Sequence, residues 1–219
     1  MQNSTAPSLY QLYSNYGDPT LKPELANSWD AGIEQHAWND RVVLSATYYH
    51  RDSRDLIEFL DCTTPRPRCA IEPFGYYVNI DRTTAHGVEL QAAYNMTDAF
   101  SLSANYTLTD TEDQAPGSDF GKELPRRPKS MANAAATYLW AKGLRTLVDV
   151  RYADRSFDDA ANTIAMGGYV LVDLKASYAL NDRIEVYARV ENLTDKHYET
   201  AYQYGMLGRS AYGGARVRF

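Results

Sequence analysis

The 219-residue chain is 44% hydrophobic and 23% charged, with a formal net charge of −6 and a mean hydropathy of −0.49. No apolar run approaches the ~20 residues of a membrane helix, and an acidic balance with no basic stripe excludes a nucleic-acid footprint. A barrel wall, in which every second residue faces water, stays open, and the 18 Tyr favour both strands and membrane interfaces.

From the N-terminus, MQNSTAPSLYQLY has neither a basic n-region nor an apolar h-region, so it is not a signal peptide, and one is expected upstream if the chain lives in an outer membrane. Residues 8–13 (SLYQLY) are read as a further short strand ahead of nine that begin near residue 27. Residues 41–51 set Val42, Leu44, Ala46 and Tyr48 against Ser45, Thr47 and Arg51. Residues 86–96 and 100–109 repeat the pattern, with Val88, Leu90, Ala92 and Tyr94, then Leu102, Ala104, Tyr106 and Leu108, on one parity. The alternation continues through 130–140, 144–152, 170–178, 184–191 and the last twelve residues, 208–219. A side-chain period of two makes each of these a strand with one apolar and one polar face. The chain ends on the apolar parity at Phe219, the expected assembly signal for the barrel assembly machinery.

Loop lengths sort by end. Short turns at 38–40, 97–98, 141–143 and 181–182 alternate with long segments at about 52–76, 111–129, 154–167 and 193–207. A sandwich has no reason to do this, whereas outer-membrane barrels combine short periplasmic turns with long extracellular loops. The fold expected is all-β, an antiparallel transmembrane barrel segment of about 9–10 strands. An open sheet leaves its edges unpaired in lipid, so the segment is expected to belong to a larger barrel. The competing reading is a self-contained small β-barrel or β-sandwich acting as a binding module.

Cys62 and Cys69 enclose a short loop, and an even count at this spacing suits a disulfide in an oxidising compartment; a metal pair or two free thiols are the alternatives. Aromatic residues near strand ends, including Tyr48, Tyr94, Tyr138, Trp140, Tyr152 and Tyr178, read as interfacial girdles. Charged residues of the other parity, among them Arg145, Asp149, Arg151, Asp173, Lys175, Glu185, Arg189, Glu191, Arg216 and Arg218, read as cross-strand pairs facing water or a plug. His36, His50, His86 and His197 sit in no nucleophile or metal motif, so the chain is read as a non-enzyme.

The ordered set Ala6-Pro7-Ser8-Leu9, Leu21-Lys22-Pro23-Glu24, Tyr77-Val78-Asn79-Ile80, Gly87-Val88-Glu89, Glu191-Asn192-Leu193-Thr194-Asp195-Lys196, Gly208-Arg209 and Phe219 resembles the C-terminal barrel of a TonB-dependent receptor. The ending DKHYETAYQYGMLGR resembles the cobalamin receptors most, with ferric-siderophore receptors next. The resemblance implies residues 1–219 as the C-terminal part of a 22-stranded barrel in the outer membrane of a Gram-negative bacterium. The plug domain and TonB box are absent from the sequence, and the implied partners are outer-membrane lipid, the plug, TonB and a small-molecule ligand. Tyr198, Tyr202, Tyr204 and Arg209 lie in or beside a long outer loop, where they either meet a large, partly apolar ligand or pack the loop. No cofactor is expected. Asp154, Asp158 and Asp159 are candidate calcium ligands, since some cobalamin receptors order their outer loops with that ion; an acidic solvated loop is the other reading.

Overall fold

The computed structural model describes residues 2–62 and 66–218, apart from the side chains of Gln2, Asp81 and Lys142. Strand β1 (Gln2–Thr5) leads through the short helix α1 (Leu9–Tyr13) to β2 (Glu24–Ala37) and β3 (Val42–Leu60). Next come β4 (Tyr76–Asn95), β5 (Phe100–Asp113), β6 (Ser130–Leu139) and β7 (Leu144–Ala153). They are followed by β8 (Ser156–Phe157), β9 (Ala165–Met166), β10 (Tyr169–Ala179) and β11 (Ile184–Glu191). The chain closes with β12 (Glu199–Ala201), β13 (Tyr204–Gly205) and β14 (Ser210–Val217). Ten strands form one antiparallel sheet in the order β1-β2-β3-β4-β5-β6-β7-β10-β11-β14, open at both ends, while β8–β9 and β12–β13 form two small pairs beside it.

Register carries the alternation of each strand into continuous stripes. One row runs Val42–Tyr94–Leu102–Ala136–Val148–Leu174–Val190–Ala211 across eight strands. Another runs Leu44–Ala92–Ala104–Ala134–Val150–Val172. On the opposite face Ser45, Gln91, Asn105, Asn133 and Arg151 make a polar row. Leu44, Leu102, Val148 and Leu174 remain 37–48% exposed, so among the described residues nothing covers the apolar face, as a wall against lipid requires. Aromatic clusters bound it: Trp38–Tyr94, Phe100–Tyr138 and Tyr138–Trp140 at the short-turn end, Trp29–Tyr48 at the other. From Tyr178 to Val170, β10 covers about 27 Å of strand, or about 20 Å of height at a tilt near 40°.

Two expectations are corrected. Residues 8–13 form no strand: Ser8 caps α1, its hydroxyl accepting from the Gln11 N–H while Gln11 Oε1 accepts from the Ser8 N–H. This reciprocal cap outweighs the weak alternation of SLYQLY, and the tenth strand is β1, paired with residues 24–27. The segment 52–76 is also shorter as a loop than expected, since β3 reaches Leu60 and β4 begins at Tyr76. Asp55 has a left-handed backbone (φ 55°), which breaks the alternation, so that Ser53, Leu56 and Ile57 are all buried. Leu56 and Ile80 then pack with Leu124 in a small core beyond the membrane band.

Candidate functional site

The ordered motifs turn out to be structural nodes that shape the outer end. Asn79 reaches across to the segment before β2: its Oδ1 accepts from the Lys22 N–H (2.8 Å), and its Nδ2 donates to the carbonyls of Lys22 (3.0 Å) and Asp55 (2.7 Å). Glu24 accepts from the Ile57 N–H at 3.0 Å. Together they supply partners around the left-handed turn of backbone at Asp55. Gly87 lies opposite Tyr49, and a Cβ there would sit 1.9 Å from the Leu108 carbonyl oxygen and 2.8 Å from the Tyr49 hydroxyl. Only glycine lets the ring cross, and the hydroxyl then bonds Thr109.

The loop after β11 is built on Asn192, buried and left-handed (φ 50°). Its N–H donates to Asp173 (2.8 Å), its Oδ1 accepts from the Lys196 N–H (2.8 Å), and its Nδ2 donates to the Lys196 carbonyl (2.9 Å). Asp195 accepts from the Arg209 N–H at 2.8 Å, and that bond holds its carboxyl below the usual carboxylate range. Arg209 is therefore tied to the base of the loop through its backbone, with its guanidinium 4.0 Å from Asp195.

Above this base the outer segments are clipped to one another. Cys62 and Cys69 form the expected disulfide, and Arg68 beside it pairs with Asp18 (2.6 Å) and Glu72 (2.9 Å) while covering the Tyr76 ring. Arg66 pairs with Asp119, and Arg127 with Glu58. Arg126 grips Asp158 through Nε (2.7 Å) and Nη2 (3.2 Å), and its N–H donates to the Phe157 carbonyl at 2.6 Å. Asp158 also accepts from the Tyr202 N–H at 3.0 Å. Of the candidate ligand-facing residues, Tyr198 packs on Tyr169 with ring centroids 4.4 Å apart, whereas Tyr202 and Tyr204 stay exposed, together with Met206 and Leu207. The β12–β13 pair thus presents an apolar tip on an ion-paired base. Phe219 lies outside the described residues.

The calcium candidates are not brought together. Asp159 is saturated by its own turn, accepting from the N–H groups of Thr163 and Ile164 and from the Thr163 hydroxyl. Burial pushes its pKa up, but these bonds outweigh it and hold the carboxyl below its ordinary value. Asp158 is taken by Arg126 and Tyr202, and Asp154 accepts from the next N–H in the chain. Among the described residues no set of three or more His, Cys, Asp or Glu is placed to hold a metal ion, and this donor set does not fit calcium as it stands.

The polar face of the last four long strands carries two of the expected cross-strand pairs, Arg151 with Asp173 (2.8 Å) and Arg216 with Glu185 (3.2 Å), whereas Arg189 pairs along its own strand with Glu191 (3.3 Å). Arg145, Lys175, Tyr187 and Tyr212 line a concavity of about 620 Å³ on this face. Local sequence carries no signal for the Arg126–Asp158 and Arg68–Asp18 pairs, whose partners lie 32 and 50 residues apart.

The family model "TonB dependent receptor-like, beta-barrel" matches residues 2–193. The vitamin B12 transporter BtuB of Photobacterium profundum is 32% identical over 217 residues, covering 98% of this chain and 34% of the relative. The iron-regulated outer membrane virulence protein of Vibrio cholerae is 29% identical over 215 residues, 93% of this chain and 32% of that protein. The crystal structure of the siderophore receptor PiuA from Acinetobacter baumannii superposes with a TM-score of 0.71 at 25% identity, over 89% of this chain and 28% of that one. The copper transporter OprC, at 18% identity and a TM-score of 0.77 over 100% of this chain and 35% of that one, shares the fold. The chain spans about a third of the length of the curated relatives it matches. The matched family is one of receptors and not of enzymes. The chain belongs to the TonB-dependent receptor-like β-barrel family of the Gram-negative outer membrane.

Proposed function

We propose that residues 1–219 supply the C-terminal wall and outer loops of an active-transport receptor that takes up a scarce, large ligand, energised through TonB. The ligand proposed is cobalamin, with a ferric siderophore as the second reading. The observation that carries the transport reading is the pairing of a lipid-facing apolar band with a polar inner wall, capped at one end by interlocked loops. The identity to a vitamin B12 transporter over nearly the whole chain favours cobalamin, and the match to an iron-regulated relative and the superposition on a siderophore receptor keep the second reading in play.

In this reading the exposed tip Tyr202, Tyr204, Met206 and Leu207 meets apolar ligand surface, with Tyr198 and Arg209 setting its base. A plug and a TonB-contacting segment are contributed from outside these residues, and the concavity around Arg145 and Lys175 faces the lumen they share. The reading is tested by titrating the full-length protein in detergent with cyanocobalamin and, separately, with ferric siderophores. Saturable cobalamin binding weakened by a Tyr202→Ala/Tyr204→Ala change supports it; saturable binding of a ferric siderophore alone selects the second reading.

A further inference from the structure

The residues first read as calcium ligands carry a different inference. We infer that the outer loops of this receptor are held by an internal guanidinium latch, Arg126 on Asp158, in the place where a cation would otherwise gather carboxylates, and that Asp158 is the positioning residue for the β12–β13 tip. The inference goes beyond the transport reading, because it concerns how the loops are fixed whatever the ligand.

Asp158 has little exposed side chain (9%) and receives three donors. Two come from the guanidinium of Arg126, in the loop after β5; the third is the Tyr202 N–H, in the turn between β12 and β13. One carboxylate therefore joins three loops that are separate in sequence. The two-pronged Arg contact fixes direction as well as distance, which a point charge does not. Asn162 reinforces the first joint, its Oδ1 accepting from the Glu123 N–H and its Nδ2 donating to the Glu123 carbonyl. Asp159 is committed to its own turn and cannot join Asp158 on an ion without unmaking those bonds, and one oxygen of Asp154 is taken by its neighbour's N–H. The guanidinium already supplies the positive charge that a divalent cation would bring.

The test is hydrogen exchange of the full-length protein in detergent, read at residues 154–168 and 198–206, with calcium added or with a chelator. The wild type is expected to exchange alike in both. Asp158→Asn and Arg126→Gln are each expected to speed exchange at 198–206 about tenfold, with the β5–β6 ladder unchanged as the measure of intact folding. Asp158→Glu, which keeps a carboxylate for both Arg126 and the Tyr202 N–H, retains part of the protection, which a merely structural loss would not. Exchange that slows when calcium is added to the wild type overturns the inference. So does an Asp158→Asn protein indistinguishable from wild type at 198–206.

Discussion

Asn192 offers the sharpest test of how the loop over the barrel mouth is built. Replacing it with Ala removes the Lys196 N–H acceptor and the Lys196 carbonyl donor, bonds of 2.8 and 2.9 Å, and forces Ala into a backbone at φ 50°. The two part-buried hydrogen bonds contribute about 1–3 kcal/mol, and placing Ala in the left-handed region costs about 1 kcal/mol more. The loop 193–207 should then open more easily by about 2–4 kcal/mol, or about two orders of magnitude in exchange rate. Asn192→Gly restores the backbone but not the bonds and should fall between Ala and wild type; Asn192→Asp keeps only the acceptor. Peptide-level hydrogen exchange on the folded receptor reads all four proteins. An Ala variant that exchanges like wild type, or a Gly variant worse than Ala, refutes the reasoning.

Four further outcomes follow from the same structure. Gly87→Ala places a methyl 1.9 Å from the Leu108 carbonyl; displacing Tyr49 and prising β4 from β5 should cost about 1–3 kcal/mol, seen as a lower urea midpoint for barrel unfolding. Asp159 has a depressed pKa, so its support of the loop 154–168 is full above the ordinary carboxylate range and lost as pH falls through its lowered value; exchange of that loop should rise only on strong acidification. Opening the Cys62–Cys69 bridge by Ser substitution frees a loop whose closure is worth about 2–3 kcal/mol, so trypsin should cut faster after Arg68, while the Arg66–Pro67 bond stays resistant. Phe219→Ala should leave the wall's register alone yet reduce the amount assembled in the outer membrane, measured by surface labelling.

How much of this was legible in the sequence depends on distance along the chain. The strands from 86 onward could be read because period-two alternation is local, and Val88, Leu90 and Ala92 do line one stripe with Leu108, Tyr106 and Ala104. The sorting of loop lengths could be read as well, and the short turns at 38–41, 96–99 and 180–183 do fall at one end of the sheet. The extension of β3 could not be read because the left-handed backbone at Asp55 flips the alternation at residue 55. Helix α1 is marked by Ser8 and Gln11 at capping spacing, a signal the period-two reading of SLYQLY does not contain. The candidate site was legible only as a place: Tyr202 and Tyr204 do project, yet Asp158 is a clip whose partners, Arg126 and Tyr202, lie 32 and 44 residues away.

The measurement that bears most directly on the account is residue-by-residue accessibility along β5. Single cysteines at 101 to 106, in a protein whose native pair is changed to Ser, would carry a spin label in outer-membrane or reconstituted bilayers. Labels at 102, 104 and 106 should relax with oxygen dissolved in lipid, and labels at 101, 103 and 105 with a water-soluble nickel reagent, in strict alternation. A β5 in which neither set sees lipid would contradict the barrel wall and favour a self-contained soluble module.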